Sequence, residues 1–313
     1  PAQGEGTVGL IVADPCISAD NYCIYQNPYN MKGTLQSVIN SLSKHRLDYW
    51  MNIGDLFYDL DGSRTNDFFS GLSLTAMSKV HGVTLGNHDY WIGGSPGAKM
   101  SADSFGTGHM QWYAQDTMAS KDNPAQPFDF SVSAESQEIC AVSNSFWYNA
   151  IGNVGFIGFS NAYEWWQLEG YFQEACAWAQ ETQPQVVVLL GHWDAANLGC
   201  AAGEDTPDVF RKVQSIPACS ALGDTLKYMV GHNHCNEIMQ ADTGFMLGAF
   251  GMSGCGQFGL PVLDTRNNRA KLYYFKMGTG GRREGQFQTV LDCLEASGFD
   301  GCLQYAETWM DAA

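Results

Sequence analysis

Apolar positions in the first ninety residues follow two different periods. Nearly continuous apolar runs such as "TVGLIVAD" (7–14) are typical of buried strands. Leu35, Val38, Ile39 and Leu42 instead recur at helical spacing and mark one face of an amphipathic helix. The predicted elements are strands at 7–14, 47–55 and 80–89 and helices at 31–46 and 66–78. Their alternation predicts a sheet covered by helices.

The remainder of the chain adds a more antiparallel pattern. Short strands are predicted at 128–133, 138–143, 146–152, 154–160, 184–193 and 226–234, with a helix at 164–182. Residues 261–277 predict a hairpin that turns at 266–268, and residues 93–127 predict a long surface excursion. No linker separates these parts, so we expect a single domain over residues 1–313. Its expected fold is an α/β (α+β) sandwich of two packed mixed β-sheets flanked by helices.

Charge narrows the choice of partners. The chain has 33 Asp and Glu against 16 Lys and Arg, a formal net charge of −17. Nucleic acids and anionic membranes need a basic surface, so we expect neither as a partner. The longest apolar run, residues 186–190, is far shorter than a membrane span. An anionic substrate would need a local cation to overcome the overall field.

Ten cysteines are spread widely and form no CxxC pair. An even number in this arrangement favours disulfides in an oxidising compartment over a zinc ribbon. Cys16–Cys23 and Cys293–Cys302 are the local pairs that the spacing allows. The chain starts at Pro1, as a mature protein does after removal of a signal peptide. We therefore expect a secreted or periplasmic protein.

Five predicted strands end in residues that can bind a metal. The positions are Asp14, Asp55 in "GD", Asn87 in "GNHD" (86–89), His192 in "GH", and His232 and His234 in "GHNH" (231–234). Ligands bind at the carboxyl ends of strands in α/β sheets. This mixed oxygen and nitrogen set suits Fe, Zn or Mn. Gly54, Gly86, Gly191 and Gly231 precede candidate ligands, where we expect them to allow a sharp turn.

The ordered set resembles the signatures of the calcineurin-like metallophosphoesterases: an Asp after the first strand, then GD, GNH, GH and GHxH. Most of that superfamily has DxH first, whereas this chain has Asp14-Pro15-Cys16. The purple acid phosphatase branch lacks that His and has GDxxY second, which "GDLFY" (54–58) matches. Chain length and "GNHDY" look like the compact, tartrate-resistant members. Cys16 departs from that branch, which usually has Gly there.

The resemblance implies a four-layer metallophosphoesterase fold and a dinuclear centre of Fe(III) with a divalent Zn, Fe or Mn ion. One metal would bind Asp14, Asp55, Tyr58 and His234; the other would bind Asp55, Asn87, His192 and His232. His88 would act on the phosphate without binding metal, and Asp89 would orient its ring. A metal-bound hydroxide would attack a small phosphorylated substrate, a phosphate monoester. No obligate protein partner is indicated.

Several interpretations remain open at this point. The same centre would also serve a phosphodiesterase or nucleotide hydrolase, and a non-catalytic binding protein could retain the fold. Tyr58 could be a packed aromatic residue, and Cys16 a disulfide, a buried thiol or a soft ligand. Tyr90, Trp91 and Trp193 could line a substrate mouth or cap the core. The residues interpreted as structural are His45, His81, His109, Asp59 and Asp61.

Overall fold

We describe the protein from a computed structural model. The description covers residues 1–17, 31–91, 106–110, 112–113, 117–118, 145–195, 203–248, 257–279 and 286–312. Most of the predicted 93–127 excursion and the predicted strands at 128–133 and 138–143 lie outside the described residues. In the described part of the chain, no helix combines the length and the apolar character that crossing a bilayer requires.

Two six-stranded mixed sheets form the centre of the fold. The first has the order β12-β11-β10-β1-β2-β3, in which β1, β2 and β3 are parallel and the other neighbours are antiparallel. Its strands are β1 (Val8–Val12), β2 (Tyr49–Ile53), β3 (Val80–Thr84), β10 (Gln257–Asp264), β11 (Ala270–Thr279) and β12 (Ala306–Ala312).

The second sheet has the order β4-β5-β6-β7-β9-β8. The inner strands β5, β6, β7 and β9 are parallel, and β4 and β8 pair antiparallel at the two edges. Its strands are β4 (Trp147–Ile151), β5 (Val154–Gly158), β6 (Val186–Leu190), β7 (Leu226–Val230), β8 (Asn236–Gln240) and β9 (Gly244–Leu247).

The two sheets pack face to face through one apolar layer, to which Met51 and Ile53 contribute from the first sheet and Phe156 and Val188 from the second. Helices cover the outer faces. They span Met31–His45, Ser63–Ser70, Leu74–Met77, Thr107–Met110, Trp165–Thr182, Thr206–Ser215, Pro217–Ser220 and Phe287–Ser297. The predicted sandwich of two mixed sheets with outer helices is therefore confirmed.

Individual elements agree with the sequence pattern to different degrees. The stripe of Leu35, Val38, Ile39 and Leu42 is fully buried, as the helical spacing predicts. The hairpin turns at Arg266–Asn268, as predicted. The single helix predicted over 66–78 is wrong: the chain forms helices at Ser63–Ser70 and Leu74–Met77. Gly71 closes the first by donating its backbone N–H to the carbonyl of Phe68, 3.2 Å away.

All six cysteines in the described part of the chain are disulfide-bonded. Cys293–Cys302 is confirmed, and Cys176–Cys219 joins two helices on one outer face. Cys16 is also in a disulfide, which excludes a free thiol or a soft metal ligand there. Cys23 lies outside the described residues, so the Cys16–Cys23 pair stays a prediction.

Candidate metal centre

The carboxyl ends of the parallel strands of both sheets meet at one edge of the sandwich. Asp14 Oδ1 lies 3.3 Å from His234 Nε2 and 3.8 Å from His192 Nε2. His192 Nε2 in turn lies 3.4 Å from Asp55 Oδ1. Asp14, Asp55 and His234 each place one donor atom within 4.8 Å of the others, close enough for a single ion to contact all three.

Tyr58 reaches the same place from the loop after β2. Its hydroxyl lies 2.9 Å from His234 Nε2, and only 2% of the residue is exposed. Burial first, and then the Asp55 and Asp14 charges, raise the pKa of the phenol well above its ordinary value. A phenolate at this position therefore needs a cation beside it. The side chain of Cys16 packs against Tyr58.

A second pair of candidate ligands lies beside this group. His232 Nδ1 is 3.0 Å from Asn87 Oδ1, and both side chains are half-buried. The Nδ1 atom of His192 lies 2.9 Å from the Ile53 carbonyl oxygen. If Nδ1 donates that hydrogen bond, the tautomer leaves the Nε2 lone pair free for a metal, as outer hydrogen bonds to ligating histidines commonly do.

The buried polar atoms at the centre of the group fit a cation. Asp14 Oδ1 and His192 Nε2 are buried, and within the described part of the chain neither has a hydrogen-bond partner. Burial alone would lower the pKa of His192, but the Asp55 and Asp14 carboxylates raise it to about 10. A site that holds a proton this firmly favours positive charge. The donors are carboxylate, phenol, amide and imidazole groups, which suit borderline or hard metals.

The backbone of the site is unusual. Non-glycine residues rarely adopt positive φ, and such residues cluster at functional sites because each costs about 1–3 kcal/mol. Five candidate ligands adopt it: Asp14 (φ 53°), Asp55 (54°), Tyr58 (52°), His232 (76°) and His234 (53°). The left-handed conformation lets the chain reverse immediately after a strand and turn these side chains into the same place.

At two of the glycines that precede candidate ligands, a side chain would not fit. Gly54 has φ +100°, and a Cβ there would lie 2.2 Å from His192 Nδ1. Gly86 is extended, with φ −100°. A Cβ on Gly86 would nevertheless lie 2.3 Å from Asp55 Oδ1. The expected turn therefore applies at Gly54, whereas at Gly86 the requirement is space for the neighbouring ligand.

His88 lies at the rim of this group. It is half-buried, its backbone N–H donates to Asp55 Oδ1 (2.8 Å), and its ring centroid is 4.7 Å from that of Tyr58.

The expectation that Asp89 orients the His88 ring is wrong. The Asp89 carboxylate is fully buried and accepts hydrogen bonds from the backbone N–H groups of Asp55 (2.8 Å), Leu56 (2.8 Å) and Gly86 (2.7 Å). A buried carboxylate is satisfied by such donors, and here they tie the loop after β2 to the loop after β3.

Residues near the site resolve several open interpretations. The Asp59 carboxylate accepts from the backbone N–H groups of Leu60, Gly62 and Thr65, as a turn residue does. Three aromatic residues next to the motifs are buried: Tyr90 (2% exposed), Trp91 (4%) and Trp193 (0%). Sequence reasoning missed Asn161, which follows β5 and hydrogen-bonds the backbone of His192. Its position after a strand was the available signal.

Comparison with known proteins gives matches in structure only. No family model matches the sequence, and no curated protein matches it either. A purple acid phosphatase from yellow lupin (Lupinus luteus) seeds matches with a TM-score of 0.56 and 18% identity, over 88% of this chain and 52% of that one. This chain thus spans about half the length of that relative.

Two further solved structures match at lower TM-scores. A dimetal phosphatase from Danio rerio has a TM-score of 0.47 and 11% identity, over 88% of this chain and 97% of that one. A 5'-nucleotidase from Candida albicans has a TM-score of 0.43 and 14% identity, over 83% of this chain and 48% of that one. The lupin match shows that this chain shares the fold of that phosphatase, with two packed mixed sheets at its centre.

Proposed function

We propose that this chain hydrolyses phosphate monoesters at a dinuclear centre of Fe(III) and a divalent Zn, Fe or Mn ion. The observation that carries the proposal is the position of Tyr58, whose hydroxyl lies 2.9 Å from His234 Nε2. His234 belongs to the group of three donors that converge within 4.8 Å. A tyrosine there fills the position that the missing histidine of the first signature leaves open.

The proposed ligands divide into two sets that share Asp55. Fe(III) would be held by Asp14, Asp55, Tyr58 and His234, and the divalent ion by Asp55, Asn87, His192 and His232. The 3.3 Å approach of Asp14 to His234 and the 3.0 Å approach of Asn87 to His232 support this division. Two metal ions bound in this way would neutralise the charge of the phosphate and lower the pKa of bound water. They would also supply positive charge for an anionic substrate on a chain whose net charge is −17.

The remaining roles in the proposed reaction are assigned to side chains of the protein. Asp14 and His192 are fully buried and line the inner side of the site, where bulk water does not reach. Asn87, His88 and His232 are half-buried and form its accessible side. His88 would donate a proton to the leaving oxygen of the ester. Its backbone N–H is fixed on Asp55 Oδ1 (2.8 Å), which holds the residue beside the substrate position.

We further propose that the protein works outside the cytoplasm, as an acid phosphatase. All six cysteines of the described residues are disulfide-bonded, which fits an oxidising compartment. A ferric ion acidifies water more strongly than a divalent ion, which supports catalysis at low pH.

The test of the metal centre is colour. A ferric ion bound by the Tyr58 phenolate absorbs visible light, because electron density moves from the ring to the metal. Tyr58→Phe should abolish the band while iron is retained at a weakened site. Tyr90→Phe is the matched control, because Tyr90 is equally buried and its hydroxyl faces Ser160 Oγ at 3.4 Å. A colourless protein that contains ferric iron would refute the assignment of Tyr58.

Substrate class is tested separately. Phosphate monoesters and diesters with the same leaving group should be compared on the metal-loaded protein, together with a sample stripped by a chelator. We expect monoester hydrolysis that is lost on chelation and returns with metal. Faster diester hydrolysis would support a phosphodiesterase. A protein that binds both ions and hydrolyses neither class would support a non-catalytic role.

A further inference from the structure

Asn161 is a buried polar residue at the edge where the candidate ligands converge. It follows β5, is 0% exposed, and is separated from His192 by 31 positions in sequence. The motifs discussed above do not include it.

The carboxamide of Asn161 links the segment after β5 to two other segments of the chain. Its Oδ1 accepts from the backbone N–H of His192 (3.0 Å) and of Trp193 (3.4 Å). Its Nδ2 donates to the carbonyl of Glu204 (2.8 Å) and contacts the Thr206 hydroxyl at 3.1 Å. The amide therefore ties the loop after β6 to the start of the Thr206–Ser215 helix.

These contacts fix His192 from both sides. Asn161 holds the backbone N–H of His192, and the Ile53 carbonyl lies 2.9 Å from Nδ1 of its ring. The carbonyl of His192 accepts from the backbone N–H of Gly231 at 2.9 Å. With backbone and ring both fixed, Nε2 lies between Asp14 and Asp55.

We propose that Asn161 is a positioning residue for His192, and through it for the divalent ion alone. This inference rests on the proposed function, in which His192 binds only that ion. Among the described residues, Asn161 hydrogen-bonds His192, Trp193, Glu204 and Thr206, and none of these four is a proposed ligand of the ferric ion. Loss of the amide should therefore weaken one metal position and leave the Tyr58 position intact.

Asn153 provides a matched control at the opposite end of the same strand. It precedes β5 and is 8% exposed. Its Nδ2 donates to Gln185 Oε1 (2.6 Å) and to the Thr265 carbonyl (2.9 Å). Asn153→Ala thus removes a buried, hydrogen-bonded amide from β5 without touching the metal centre.

The experiment compares the full-length protein with Asn161→Ala and Asn153→Ala. Each is titrated with Zn²⁺ after removal of the divalent ion, and the visible band of the ferric site and the thermal midpoint are recorded. Asn161→Ala should bind Zn²⁺ about 10- to 100-fold more weakly, the usual effect of losing a partner behind a metal ligand. Its visible band should persist. Asn153→Ala should lose stability but bind Zn²⁺ as the parent does.

Asn161→Asp keeps the test decisive if the alanine variant does not fold. The aspartate retains an oxygen for the N–H groups of His192 and Trp193 and loses the N–H groups that face the Glu204 carbonyl and the Thr206 hydroxyl. We expect it to bind Zn²⁺ within a few-fold of the parent. Parent-like Zn²⁺ affinity in Asn161→Ala would overturn the proposal. A loss of Zn²⁺ and of ferric iron that is equal in Asn161→Ala and Asn153→Ala would also overturn it. Weak binding in Asn161→Asp, equal to that of the alanine variant, would also overturn it. A parent protein that binds no metal would remove the proposed function and this inference together.

Discussion

Protonation of His109 should make the fold sensitive to acid. The residue is 0% exposed, and neither of its ring nitrogens has a hydrogen-bond partner among the residues that the structure describes. Its ring stacks on Tyr113 with centroids 4.5 Å apart. Burial lowers the pKa of His109 from 6.5 to about 3, although the charge of Asp59 acts in the opposite direction. The Asp89 carboxylate lies 3.7 Å from Nδ1.

The sign of the effect follows from which state binds the proton. Between pH 6.5 and 3 the unfolded chain protonates His109 and the folded chain does not. Stability is therefore present above pH 6.5 and is lost as the pH falls below it. With these two pKa values, a change from pH 7 to pH 5 costs about 2 kcal/mol through this residue.

The assay is chemical unfolding of metal-free protein at pH 5, 6 and 7, with His109→Phe compared against the parent. Phenylalanine can stack on Tyr113 and binds no proton. The variant should therefore lose about 2 kcal/mol less than the parent between pH 7 and pH 5. Titration of the proposed metal ligands is common to both proteins and cancels in the difference.

Tyr113→Phe is the control, because it changes a neighbour of His109 without removing a group that titrates between pH 5 and pH 7. It removes a hydroxyl that lies 3.1 Å from Thr65 Oγ1, so it should shift the free energy of unfolding by a similar amount at every pH. Parent and His109→Phe curves that run parallel would refute the argument. A parent that gains stability on acidification relative to the variant would show instead that His109 forms an ion pair with Asp89.

Three further predictions concern the proposed centre and the outer helices. His88→Ala should keep both metals yet lose about 10²–10⁴-fold in kcat, measured with metal content on the same sample; loss of metal would contradict its assignment. Asp55→Ala should retain less metal per chain than Asn87→Ala, because only Asp55 is shared, and equal retention would remove the bridging role. The double variant Cys176→Ala/Cys219→Ala opens a loop with a sequence separation of 43. It should lose about 4 kcal/mol of stability in denaturant titrations.

The location of the site was predictable because strand direction determines it. Adjacent parallel strands end at the same edge of a sheet, so polar residues that follow such strands lie together. Asp14, Asp55 and His192 follow β1, β2 and β6, and their side chains converge as the sequence predicts. Strand order explains why Asp14 and Asp55 are neighbours in the first sheet, whereas His192 follows a strand of the second sheet and reaches them because the two sheets pack face to face.

The partners of individual side chains were not predictable in the same way. Asp89 follows His88 directly, which suggested a contact between their side chains. In the fold, Asp89 instead accepts from backbone N–H groups of residues 55 and 56, more than thirty positions away. Asn161 was missed because an asparagine after a strand is equally typical of a turn. Its amide accepts from the backbone N–H of His192 in the loop after β6, and only the folded structure shows this contact.

Backbone conformation explains how the loop after β2 brings Tyr58 next to His234. Asp55, Phe57 and Tyr58 all have positive φ, at a cost of about 1–3 kcal/mol each, so local preference opposes this loop. Its stabilisation comes from residues far away in sequence. The Asp89 carboxylate holds the backbone N–H of Asp55 at 2.8 Å.

The helix at Ser63–Ser70 provides the remaining support for this loop. The Phe57 ring packs on Phe68, with centroids 4.3 Å apart, and a turn built on Asp59 links the loop to the first turn of the helix at Thr65. This helix begins three residues before the predicted one and ends at Ser70 rather than continuing to Ser78. Those shifted boundaries place Thr65 and Phe68 where they can hold the loop. A helix whose limits the sequence predicted wrongly thus supports the loop that carries Tyr58 beside His234.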